Sequence, residues 1–107
     1  MADAPRAGRL TTEVPATGEA FHHLVDLPGA RVEHIISSAE AVDGVQVGPT
    51  DEWVLLLQGS ADLEVEGVTH ELGVGDWVLL PAGVRHRVVR TERGTHWLAV
   101  HAGVGPG

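Results

Sequence analysis

The chain has 107 residues, a formal net charge of −8, seven histidines, no cysteine and no lysine. That length holds one hydrophobic core, and the missing residue types exclude disulfides, zinc–thiolate sites, thiol nucleophiles and Schiff-base chemistry on a side chain. The acidic balance argues against a nucleic-acid partner. No apolar run reaches the roughly 18 residues of a membrane span, and no basic-then-apolar leader opens the chain, so no membrane contact and a cytoplasmic location are expected.

Residues 1 to 19 mix Ala, Pro, Gly, Thr and charges without periodicity and read as a flexible or strand-like arm. From Phe21 onward, short runs with β-branched residues are punctuated by turn chemistry. Phe21–Val25 ends at Leu27-Pro28-Gly29, and Arg31–Ser37 alternates Val32, His34 and Ile36 against Arg31, Glu33 and Ile35. Asp43-Gly44 and Gly48-Pro49 mark two further turns. Glu52–Gln58 and Ala61–Glu66 form a hairpin about Gly59-Ser60, with Asp62, Glu64 and Glu66 on its wet face. Val68–Leu72, Trp77–Leu80, Val84–Arg90 and Thr95–His101 follow, separated by Gly67, Gly73–Asp76, Pro81–Gly83 and Glu92-Arg93-Gly94. Residues 103 to 107 read as a mobile tail. No segment carries a sustained helical period, so the spacing predicts one all-β domain over residues 20 to 102, a sandwich or a barrel.

Two spacings say more. Gly75, Pro81, Gly83 and His86 fall as G-x5-P-x-G-x2-H, and Glu52 with Gly59 falls as E-x6-G. Proline sets φ for the turn, Gly83 permits a positive φ, and His86 then opens a strand with its side chain inward. Over roughly residues 31 to 101 these spacings resemble the two half-motifs of the cupin family. The wording DEWVLLLQGSA, LLPAGVRHRV and WLAVH is similar to small single-domain bacterial cupins. The resemblance implies a double-stranded β-helix, the jelly-roll barrel. It also implies a barrel site in which a His-x-His pair, a glutamate and a histidine hold one divalent ion, iron, manganese, nickel or zinc. This chain departs from that pattern before Glu52, where the His-x-His positions are Gln46 and Gly48, or Val45 and Val47 in the other register. Only Glu52 and His86 of the usual four ligands remain, with Gln46 a weak oxygen donor.

Glu52 and His86 are therefore the leading functional pair, as half of a metal site or as an acid/base pair in a pocket. Two ligands do not hold a divalent ion at useful affinity, so a metal needs recruits. His34, His96 and His101 are the candidates, although a histidine between Val32 and Ile36 reads first as a hydrogen-bonded core residue. His96 and His101 fall on opposite faces of the last strand, and His101 is preferred for the pocket. Adjacent His22 and His23 point opposite ways, and His70 lies on a surface strand. Arg90 shares parity with His86 and would reach the pocket mouth to hold a substrate carboxylate, whereas Arg85 and Arg87 face away and balance nearby acids. Trp53, Leu55 and Leu57 share the face opposite Glu52, which predicts a homodimer. The expected activity is a metal-dependent cupin enzyme acting on a small organic molecule, as the resemblance implies. The alternatives are a metal-free isomerase or cyclase using His86 and Glu52, and a non-catalytic small-ligand-binding barrel.

Overall fold

The computed structural model describes residues 4–40 and 44–103, so the turn expected at Asp43 and the end of the tail lie outside the described residues. Nine strands appear among them: β1 (Glu19–Leu27), β2 (Ala30–Ser37), β3 (Gln46–Val47), β4 (Asp51–Gln58), β5 (Ala61–Val65), β6 (Val68–Leu72), β7 (Trp77–Leu80), β8 (Arg85–Thr91) and β9 (Thr95–Ala102). They form a five-stranded sheet in the order β1-β2-β9-β4-β7 and a four-stranded sheet in the order β3-β8-β5-β6, with every pairing antiparallel. Ile35, Val54, Leu56, Leu80, Trp97 and Ala99 from the first sheet meet Ala61, Leu63 and Leu72 from the second in one buried cluster. The all-strand domain expected from the spacing, and the jelly roll that the resemblance implies, are what the chain adopts.

Register fixes what faces that cluster, because side chains alternate across each strand. Glu52, Val54 and Leu56 lie opposite His101, Ala99 and Trp97. Glu33, Ile35 and Ser37 lie opposite Ala99, Trp97 and Thr95. Glu19 and Phe21 pair in turn with Ser37 and Ile35. The inward face of the large sheet is thus apolar in the middle, with Glu33, Glu52 and His101 toward one end and Glu19 beside Ser37 toward the other.

Two glycines of the half-motifs have structural reasons. At Gly59, with φ +90°, a Cβ would come within 2.9 Å of the Thr95 Cα, so the crossing of β4 and β9 is closed to any side chain. Gly83 has φ +83°, and its N–H donates to the Gly48 carbonyl at 3.0 Å while the neighbouring Ala82 N–H donates to Asp51 Oδ1 at 2.9 Å. These bonds tie the Pro81–Gly83 turn to the approach of β4, and so tie the start of the His86 strand to the start of the Glu52 strand.

Candidate active site

Glu52 comes from β4 and His86 from β8, strands in different sheets, yet both line a single cavity of about 70 Å³. Gln46 joins them because β3 pairs with β8 and sets Gln46 opposite His86. The rest of the wall is mainly apolar and includes Phe21, Ile35, Leu63 and Trp97. Glu19 also lines the cavity; the sequence reading had left it in the arm.

Each polar group there has a definite partner or a definite lack of one. The His86 Nδ1–H donates to the Val84 carbonyl at 3.2 Å. A carbonyl only accepts, so the neutral ring keeps its lone pair on Nε2. Glu19 Oε2 accepts from Ser37 Oγ at 2.6 Å, and Ser37 Oγ accepts from Trp97 Nε1–H at 3.0 Å. Burial pushes the Glu19 carboxyl above its ordinary value; the Ser37 bond pulls the other way, and the Glu52 and Glu33 charges add to the rise. His101 Nε2 lies 3.2 Å from Glu33 Oε1 and 3.9 Å from Glu52 Oε2, so two carboxylates share one imidazole at the end of the sheet. Arg87 borders the cavity, but its guanidinium is held in a two-point pair by Glu64, both contacts at 3.2 Å.

Two expected participants lie elsewhere. Arg90 does not reach the pocket mouth: β8 pairs Val88 with Leu63 but Arg90 with Asp62, and the bulge between them reverses the parity that would have carried Arg90 inward. Its guanidinium instead pairs with Asp62 at 3.1 Å on the exposed face. His34 is completely buried, but on the face of β2 opposite Glu33 and Ile35. It shares a 2.9 Å hydrogen bond with His96 Nδ1 and packs against the His22 ring at 5.9 Å. Sequence parity separates His34 from Glu33, but it does not say which face meets the second sheet. His101 does face the same way as Glu52.

The family resemblance implies a divalent ion, and the donor set can be tested against it. Glu52, His86 and Gln46 surround one cavity, His101 is engaged by Glu33, and His34 is on the far face. Among the described residues no three His, Cys, Asp or Glu side chains are placed to hold a metal ion. Four to six donors are the norm for such ions. The residues as arranged do not fit one.

Comparison with known proteins agrees with the fold. A family model described as a cupin domain matches residues 38–101. A Ralstonia eutropha protein provisionally described as a mannose-6-phosphate isomerase is 40% identical, with 94% of this chain and 100% of that one covered at a TM-score of 0.82. KdgF from Halomonas sp. is 20% identical over 80% of this chain and 81% of its own, at a TM-score of 0.74. A salicylate 1,2-dioxygenase from Pseudoaminobacter salicylatoxidans superimposes with a TM-score of 0.72 and 18% identity, over 82% of this chain and 27% of that one. Among curated proteins, none matches the chain. The class the fold and motifs define is the jelly-roll barrel, and the chain belongs to the cupin family.

Proposed function

We propose that this cupin binds a small uncharged polar molecule in its barrel and shifts a proton on it by acid–base chemistry, as a metal-independent isomerase or cyclase does. The observation that carries the reading is His86. Its Nδ1 is committed to the Val84 carbonyl, so the basic Nε2 belongs to a ring that borders a cavity walled by Glu52 and Glu19. A base and two carboxyls around one apolar cavity is the equipment for moving a proton between adjacent atoms of a bound molecule. For a hydroxy-carbonyl compound, His86 Nε2 takes the proton from the carbon beside the carbonyl. Glu19, which burial makes a weaker acid than an exposed carboxyl, supplies a proton to the carbonyl oxygen. From the resulting enediol, His86 gives its proton to the former carbonyl carbon while the Glu19 carboxylate takes the proton of the original hydroxyl, which gives the isomer and restores both groups. Glu52, backed by His101, completes the wall and accepts a hydroxyl.

Charge and size limit the substrate. Two carboxyls face the cavity and its bordering cation, Arg87, is bound to Glu64, so an anionic ligand has no free partner there. The volume is about half the roughly 150 Å³ that accommodates benzene, so a three-carbon molecule fits whole and a larger one only by its reacting end. The identity to the Ralstonia eutropha protein supports proton-transfer chemistry of the isomerase type; nothing in this cavity supports the phosphate. A second copy of the chain is proposed to cover the outer face of β4 and β7, where the Trp53 and Trp77 rings pack at a tilt of 38° with centroids 6.3 Å apart and Trp77 and Leu79 are exposed.

The test is solvent-deuterium incorporation into dihydroxyacetone, followed by proton NMR, with protein dialysed against chelator. Exchange should survive dialysis and fall roughly 100-fold or more in H86N and in E52Q. Exchange that vanishes on chelation and returns with manganese, iron, nickel or zinc would overturn the metal-independent reading.

A further inference from the structure

The two sheets leave a second opening, beside the Gly73–Asp76 turn that carries the chain from β6 to β7. Strand β6 is the edge of the four-stranded sheet and β7 the edge of the five-stranded one. Between them lies an open groove of about 760 Å³, flanked by Thr69, His70 and Glu71 on one side and Asp76, Trp77 and Val78 on the other. Unpaired strand edges display rows of N–H and C=O groups, and an edge of this kind accepts an added extended segment. Glu71 has no hydrogen-bond or ion-pair partner among the described residues, and the Asp76 carboxylate holds only the Gly73 N–H, at 2.8 Å. Trp77 is 60% exposed beside them.

The N-terminal arm has the complementary character. Residues 4 to 12 read APRAGRLTT, two cations and no acid in a chain whose net charge is −8. Arg6 and Arg9 make no ion pair among the described residues, and no backbone hydrogen bond joins residues 4 to 12 to either sheet. Within its own chain the stretch from Arg6 to Leu10 stands off from His23–Val25 across a gap of about 490 Å³. An extended, cationic, unpaired segment and an acidic groove between free strand edges are features of one interface.

We infer that the arm of one copy lies as an added strand in the β6–β7 groove of a second copy, with Arg6 and Arg9 against Glu71 and Asp76 and Leu10 against Trp77. Exchange in both directions is two-fold symmetric, as dimer interfaces usually are. It is also continuous with the outer apolar face, since Trp77 borders both surfaces. This inference rests on the dimer reading given above and adds the segment that locks it.

A charge-swap experiment separates the two readings. Wild type, R6E/R9E and E71R/D76N, whose amide oxygen at position 76 can still accept from the Gly73 N–H, are examined alone and mixed by analytical ultracentrifugation at low salt, with urea unfolding to show that each variant retains the fold. Wild type should dimerise, and each variant alone should dimerise at least about tenfold more weakly, because its arm and groove now carry like charges. Mixing the two variants should restore the dimer, because both arm–groove pairs of the mixed species are then complementary. Variants that dimerise like wild type overturn the arm–groove contact and leave the Trp53 face as the interface. Variants that are monomeric alone and stay monomeric when mixed overturn exchange between copies. A wild type that is monomeric at every concentration overturns the dimer reading itself.

Discussion

The buried histidine on the outer face makes a quantitative acid-sensitivity prediction. His34 is 0% exposed, and among the described residues its Nδ1 has no hydrogen-bond partner, while Nε2 is engaged with His96. A second proton would have to enter at Nδ1, where no acceptor waits. Burial lowers the pKa of His34, and the neighbouring His96 and His22 lower it further. A histidine whose folded pKa is depressed contributes stability above its unfolded pKa, about 6.5, and loses it as pH falls. Between pH 7.5 and 5.5 the unfolded chain takes up the proton that the fold refuses, which costs about 1.4 kcal/mol at most from this one group. Glu19 has the opposite sign: its raised pKa favours the fold at lower pH, and that contribution is lost as pH rises through the raised value. The clean comparison is therefore wild type against H34Q, whose amide still bonds His96 but does not titrate, so that Glu19 cancels. Urea unfolding at pH 7.5, 6.5 and 5.5 should show wild type losing stability relative to H34Q by up to about 1.4 kcal/mol on acidification. Parallel pH profiles for the two proteins would show that His34 is not the acid-sensitive group.

Two other substitutions test the frame of the site. G59A should destabilise the fold by roughly 2–4 kcal/mol in urea unfolding, because it combines a strained positive φ with a Cβ 2.9 Å from the Thr95 Cα; a loss below about 0.5 kcal/mol would mean that β9 yields there. Q46H restores an imidazole opposite His86 in the cavity that Glu52 lines, so chelator-treated Q46H should bind zinc or nickel by isothermal titration more tightly than wild type by about tenfold or more; equal affinities would show that position 46 does not point at the other two donors.

Most of the fold was legible because alternation and turn chemistry are local. The Pro81–Gly83 turn and the last strand follow from residues within a few positions of each other. The hairpin expected about Gly59 does not form: β4 and β5 pass into different sheets, β4 pairing with β7 and β9 and β5 with β6 and β8. The two-residue β3 was not legible, since Gln46 and Val47 are held by a pairing with His86 and Arg85 some forty residues away. Glu52 and His86 were found through their spacing. Glu33 was missed because a carboxylate on an alternating strand looks like the solvent face until the second sheet is placed over it, and Glu19 because the stretch before it carries no periodicity to mark the start of β1. Arg90 failed for a different reason: the sequence counts residues, and the β8 bulge adds one. No signal in the residues Arg87 to Thr91 announces that bulge.

The large sheet uses one residue type in two ways, and alternation alone divides them. On the inner face His101 Nε2 sits 3.2 Å from Glu33 and 3.9 Å from Glu52, and about a quarter of the side chain is open to solvent. On the outer face His34 and His96 are buried against each other beside His22, and among the described residues no carboxylate is bonded to any of the three. Burial therefore resists a second proton on His34. His34 and Glu33 are adjacent in the chain, so a one-residue slip of β2 against β9 would bring the unpaired imidazole into the barrel and push the carboxylate out. Packing of Ile35 against Trp97 opposes the slip, because Ile35 is the residue through which β2 joins the buried apolar cluster. The same contact that builds the core thus decides which ionisable groups a bound molecule meets.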